Sequence, residues 1–169
     1  MKYICIKTVA IYLLATLPLL ANASTHKVKI THSVMVGNGI AKFIPEGFDA
    51  QKIPSFAIEK EPREQGTLPA DWVLVPEFSL TDGKANASLT VPEGTSIYGG
   101  GEVTGSLLRN GKTIKLWNTD SGAYGVDKGT RLYQSHPWMM GVRKDGTAFG
   151  ILFDTTWKAE LSSTDEKSN

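Results

Sequence analysis

The sequence predicts an all-β fold, an antiparallel β-sandwich, and three observations carry that reading. Turn dipeptides recur at Asn38-Gly39, Asp82-Gly83, Asn110-Gly111 and Asp145-Gly146. Asn or Asp followed by Gly suits a tight hairpin, whose two central residues must both reach positive φ. Between the turns lie short runs rich in β-branched and aromatic residues: "HKVKITHSVMV", "ANASLTV", "TIKLW", "WMMGVR" and "TAFGILF". No segment sustains a helical period of useful length, and short strands separated by turn signals favour a sandwich over an α/β fold.

Residues 1–23 read as a targeting segment. Lys2 and Lys7 supply positive charge, "VAIYLLATLPLL" an apolar region of signal-peptide length, and Ala21-Asn22-Ala23 a small-x-small cleavage site. The run is short for a bilayer span and no second one follows, so the expected product is exported, secreted or periplasmic, without a membrane anchor. Cleavage after Ala23 leaves residues 24–169 as one domain and removes Cys5, the only cysteine. An exported chain without disulfides must rely on an ordinary core or on a partner domain. Losing two lysines takes the formal charge from +1 to about −1, and a near-neutral surface of mixed sign argues against nucleic acid.

"HKVKITHSVMV" reads as the first strand. "IPEGFDAQKIPSFAIEKEPREQGTLPADW" carries Pro45, Pro54, Pro62 and Pro69 and reads as irregular connection with at most one short strand. "ANASLTV" contains the sequon Asn86-Ala87-Ser88, read as a chance match on a strand. "PWMMGVRKDGTAFGILFDT" is the clearest hairpin, and arms so uniformly apolar predict a sheet covered on both faces. The last stretch, "TTWKAELSSTDEKSN", reads as a strand running into polar residues without a closing element, so the sandwich is expected to be small or incomplete.

"YGGGEVTGSLLRNGKTIKLWNTD", Tyr98 to Asp120, raises the question of function. A phosphate loop needs Gly, four residues, then Gly-Lys-Ser/Thr opening a helix. Here five residues separate Gly105 from Gly111-Lys112-Thr113, and a strand pattern follows. Gly99-Gly100-Gly101 has neither the spacing nor the βαβ setting of a dinucleotide loop. Phosphate and cofactor binding are therefore not expected.

There is no Gly-x-Ser-x-Gly elbow, and the mature chain has no thiol nucleophile. His26, His32 and His136 lack ligand spacing, so no metal is expected. His26 and His32 would share a strand face, too far apart to chelate one ion. His136, in "SHPW", reads as a turn residue, with a general base as the rival role. Among the carboxylates Asp145 belongs to its turn and Asp154 to a strand end. Glu102 is read either as a buried, hydrogen-bonded structural acid or as a catalytic one. Asp120 closes a strand near Trp117 and opens the Gly-rich "SGAYGVDKGT", a setting that suits ligand contact, since loops on rigid sheets are where such contacts concentrate.

Two stretches, "YGGGEVTGSLLRNGKTIKLWNTDSGAYG" and "LYQSHPWMMGVRKDGTAFGILFDTTWKAEL", resemble the N-terminal β-sandwich of glycoside hydrolase family 31, the α-glucosidases and α-xylosidases. The likeness covers Ile97 to Leu161. It follows an ordered set: a Gly-Glu opening, a Leu-Trp-Asn-Thr-Asp strand end, a Leu-Tyr-x-Ser-x-Pro segment, a Gly-rich apolar hairpin and a Phe-Asp-Thr-Thr-Trp close. The resemblance implies a galactose mutarotase-like supersandwich packed against a (β/α)8 barrel that carries both catalytic aspartates of a retaining mechanism. The chain stops before such a barrel, so no catalytic residue is assigned and the chain is expected to be inactive alone, a fragment whose barrel is missing. The resemblance implies that the aspartate ending the Trp-Asn-x-Asp strand reaches substrate hydroxyls, which places Asp120 at an α-linked glycoside.

The rival reading is a free-standing secreted carbohydrate-binding module without hydrolase activity, using Trp117, Tyr124 and Trp138 as one stacking platform. Against it, Trp117 and Trp138 sit among apolar strand residues and are expected in the core. A third reading, a mutarotase-like enzyme built on His136 and a carboxylate, needs a longer closed sandwich.

Overall fold

A computed structural model of the chain describes residues 2–8, 25–49, 63–124 and 131–165. Its strands are β1 (Lys2–Thr8), β2 (Thr25–Val28), β3 (Ile30–Gly37), β4 (Ile40–Pro45), β5 (Glu77–Thr81) and β6 (Lys84–Val91). They continue as β7 (Ser96–Gly99), β8 (Thr113–Leu116), β9 (Trp138–Val142), β10 (Ala148–Leu152) and β11 (Ala159–Asp165). A single 3-10 turn, Gly122–Tyr124, is the helical element among the described residues.

The all-β expectation holds, and the pairing is antiparallel throughout. One sheet runs β2-β5-β6-β1-β11-β8, a second β10-β9-β7, and β3 and β4 form a ribbon. The two larger sheets face each other across a core that period-two alternation supplies. β6 turns Leu89 and Val91 inward, β8 Ile114 and Leu116, β11 Ala159 and Leu161; β7 and β9 answer with Ile97 and Met139. All are buried, and Ile97, Val91, Met139 and Leu161 almost completely.

Three of the four Asn/Asp-Gly pairs sit at hairpins, but only Asp82-Gly83 has positive φ at both central residues. Asp82 and Gly83 both have positive φ, 51° and 71°, and join β5 to β6. Asn38-Gly39 joins β3 to β4. In the β9–β10 hairpin Asp145 Oδ1 accepts from Thr147 N at 2.9 Å and from Thr147 Oγ1 at 2.7 Å. These bonds hold the Asp145 carboxyl below its ordinary pKa. Asn110-Gly111 makes a turn but no hairpin. Its Asn110 side chain is used elsewhere, accepting from Ile97 N at 2.9 Å and donating to Thr95 O at 2.8 Å.

Two other expectations change. "HKVKITHSVMV" is two strands in two sheets, so His26 and His32 do not share a face; His32 Nε2 lies 2.7 Å from Glu64 Oε1. Among the described residues the hairpin β9–β10 is covered on one face only: Trp138, Met140 and Leu152 on the outer face are 47%, 39% and 53% exposed. The proline-rich connection falls partly outside the described residues; of the remainder, Gly66 bridges to Met35. The sequon reading is supported, because Asn86 is buried and its Nδ2 donates to Lys84 O at 3.1 Å, so the amide is not presented to solvent.

β1 lies in the segment read as an export signal, and it pairs with β6 on one side and β11 on the other. A chain processed after Ala23 lacks this strand, leaving two strand edges inside the sheet without their partner. Protein 24–169 is therefore expected to show faster amide hydrogen exchange in β6 and β11 than 1–169, and more self-association. Equal protection in the two proteins would contradict a structural role for β1.

Candidate functional site

The glycine run is a close-packing device. Gly99, Gly100 and Gly101 all have positive φ, 118°, 83° and 88°. A Cβ on Gly99 would run into the Trp138 carbonyl oxygen, and one on Gly101 into that of Gln134. The approach is cemented by Gly100 N donating to Trp138 O at 3.0 Å and Glu102 N to Gln134 O at 2.8 Å. Arg109, buried, braces the run from behind: its Nε donates to Gly99 O at 3.0 Å and its Nη1 to Ser106 O at 2.8 Å. Gly111-Lys112-Thr113 leads into β8, where Thr113 Oγ1 meets Ser162 Oγ at 3.0 Å. Backbone donors at a helix start, which a phosphate loop needs, are not what this segment builds.

The same packing carries the chain from β8 to Asp120. Thr119 N donates to Leu132 O at 2.8 Å, and Ser135 N to Asn118 Oδ1 at 2.9 Å. Tyr133 N donates to Glu102 Oε2 at 3.2 Å. Three segments, around Glu102, Asn118–Asp120 and Leu132–Ser135, are thus laced together at one end of the sandwich. Glu102 accepts a hydrogen bond, as its structural reading expected, but it is exposed at the rim rather than buried. Asp120 is exposed at the same rim.

Three residues with no role assigned from sequence join it. The Tyr133 phenol has its pKa raised above the ordinary value, by hydrogen bonding toward Asp120 and by the negative charge of Asp120 and Glu102. Ser121, next in the chain, is buried, and its hydroxyl has no partner among the described residues. Asn118 fixes the turn through Ser135. Tyr124, in the 3-10 turn, has φ of +60°, uncommon for a bulky residue, and is 58% exposed. Residues 125–130 of the Gly-rich stretch lie outside the described residues. The sequence signal for Tyr133 was its place in Leu-Tyr-x-Ser-x-Pro, but nothing local placed it at the rim with Asp120.

The tryptophan expectation is overturned. Trp117 is 49% exposed and Trp138 47%. Each alternates with a buried neighbour, Leu116 and Met139, and so turns outward from its own sheet. Trp117 lies under the Lys158 ammonium, 5.8 Å away, outside the larger sheet, whereas Trp138 covers Gly150 on the outer face of the smaller one. With the core between them, they do not form one platform with Tyr124. His136 is exposed, and its backbone packs against Gly101.

A model of the glycosyl hydrolase 31 N-terminal galactose mutarotase-like domain matches residues 25–161. The chain belongs to this family. Its antiparallel sheets are those of a mutarotase-like sandwich, as the resemblance implied. Over 77 residues it is 46% identical to alpha-glucosidase 2 of Bacillus thermoamyloliquefaciens, a stretch covering 44% of this chain and 10% of that protein. Over 80 residues it is 42% identical to an alpha-glucosidase of Hordeum vulgare, covering 46% of this chain and 9% of that one. The matched part of this family-31 domain thus spans about a tenth of either relative.

Proposed function

We propose that this family-31 domain is the non-catalytic, carbohydrate-contacting N-terminal part of an exported, retaining α-glycosidase, with Asp120 as its substrate contact. The observation that carries the reading is the placement of Asp120. It stands exposed at the end of a segment braced by Leu132 and Ser135, on the rim where Glu102, Tyr124 and Tyr133 gather. A carboxylate held this way accepts hydrogen bonds from neighbouring sugar hydroxyls, and charge-assisted bonds of that kind are the stronger ones. The domain supplies orientation; the acid and the nucleophile belong to a (β/α)8 barrel.

The outer face of β7–β9–β10 suits that partner. Trp138 pairs with Leu152 across the ladder and Met140 with Gly150, giving a contiguous apolar surface of the kind that protein partners cover. The basic, apolar and small-residue pattern of residues 1–23 supports export.

The test is direct. Protein 1–169 is expected to bind maltose weakly and to leave an aryl α-glucoside intact. Asp120→Asn is expected to weaken maltose binding at least about tenfold, as loss of a charged hydrogen-bond acceptor does at about 1.5–3 kcal/mol. Hydrolysis by the isolated chain that Asp120→Asn abolishes would overturn the non-catalytic assignment, and unchanged binding would remove Asp120 from the site.

A further inference from the structure

We propose a second sugar site, at the opposite end of the smaller sheet from Asp120: a cavity walled by Asp71, Trp72 and Arg143 that takes one neutral pyranosyl unit. The ligand class is that of the proposed function, but the site shares no residue with the Asp120 rim and stands or falls apart from it.

The cavity lies where the connection before β5 meets the β9–β10 turn. It has a volume of about 260 Å³ and is lined by Pro69, Asp71, Trp72, Val73, Leu74 and Arg143. The rim gathers residues just before β9, whereas Arg143 follows the last residue of that strand, Val142. The 5 residues of β9, at about 3.4 Å each, set the two places roughly 17 Å apart along the strand. Both walls are fixed before any ligand arrives. Trp72 N donates to Pro69 O at 3.1 Å, and the indole Nε1 to Leu74 O at 3.0 Å. Leu74 in turn packs against the core. Across the cavity, Arg143 Nη1 donates to Thr147 Oγ1 at 3.1 Å, and the guanidinium carbon stands 4.8 Å from the centroid of the Phe149 ring. Walls set in advance reduce the ordering that binding must impose.

The lining selects the ligand. One guanidinium and one carboxylate leave the cavity without net charge, so an ionic ligand attracted by one wall is repelled by the other. A sugar hydroxyl both donates and accepts, and so can use both walls: Asp71 accepts, and Arg143 has donors beyond the one given to Thr147. Such charge-assisted bonds are the stronger ones. The indole of Trp72 and the side chain of Val73, 79% exposed, supply the apolar surface that the C–H face of a pyranose needs. The volume is below the ~300–1,000 Å³ typical of drug-sized ligands, which suits a single ring. Two sites on one domain would hold a longer glycan at two points, raising its retention without any new catalytic group.

NMR titration of isotope-labelled 1–169 with maltose reads this site through the Trp72 indole N–H signal, assigned with Trp72→Phe, and through the amides of 69–74. Both are expected to shift saturably. Asp71→Asn is expected to weaken the affinity read there at least about tenfold, the effect of a lost charged acceptor. Arg143→Lys is expected to weaken it about three- to tenfold, because an ammonium keeps the charge and loses the planar fork. Neither variant should alter the response of the rim amides, and Asp120→Asn, whose loss is read at those amides, should leave the Trp72 response unchanged. A Trp72 signal that stays still, whatever the rim does, would overturn the second site. So would a Trp72 response that follows Asp120→Asn rather than Asp71→Asn, or glucuronate binding there more tightly than maltose. A Trp72 response with a silent rim would uphold this site and overturn the Asp120 contact instead.

Discussion

Alanine at Gly99 is expected to lower the stability of the domain by about 3 kcal/mol or more, which for a chain of this length is roughly 10 °C in melting temperature. Two independent effects add. The φ of +118° lies where residues with a Cβ rarely sit. The new methyl would also point into backbone, at the Trp138 carbonyl and within 3.0 Å of Met139 Cα, so no side chain can swing aside to admit it. The Gly99–Met139 pairing, the Arg109 bond to Gly99 O and the Gly100 bond to Trp138 O share this spot, so the strain would spread along β7 and β9. Differential scanning calorimetry reads the shift. A melting temperature within 2 °C of the parent would contradict the close-packing role given to the glycine run.

Met139→Ala is expected to cost about 2–5 kcal/mol, and Met140→Ala less than about 1 kcal/mol. The two methionines are neighbours of identical chemistry on β9. Met139 is 1% exposed and fills the centre of the core beside Ile97, Val91 and Leu161, whereas Met140 is 39% exposed on the outer face. Truncating the first leaves a cavity between two sheets; truncating the second removes surface already in contact with water. Urea denaturation of the two variants decides the matter, and similar losses would mean that the two sheets do not pack as described.

Where these elements lie was largely legible in the sequence; what covers them was not. Asp82-Gly83 announced its hairpin because the requirement for two positive φ values is local. Asn110-Gly111 carried the same signal and makes no hairpin, since the Asn110 side chain is committed to Thr95 and Ile97, an arrangement that only the folded chain creates. The apolar arms of β9 and β10 suggested cover on both faces, yet Trp138, Met140 and Leu152 face outward with nothing described over them. Composition reports how apolar a strand is and leaves open which layer meets it. The two tryptophans misled for the same reason, because neighbouring residues in a strand point to opposite faces and an apolar context does not say which face is the core.

At the candidate site, Asp120 could be singled out because a strand end next to a Gly-rich stretch is visible in one dimension. Tyr133 could not. Its place at the rim depends on the register of Thr119 against Leu132 and on a tie to Glu102. The family match to residues 25–161 covers both residues without giving Tyr133 a task.

The most direct test of the central claim is a residue-resolved map of where a sugar binds. Amide shifts of isotope-labelled 1–169 titrated with maltose are expected to move at 117–124 and 131–135 and at Glu102, and to stay still on the outer face of β9 and β10. Shifts confined to Trp138, Met140 and Leu152, or none at all, would contradict a sugar-facing rim at Asp120.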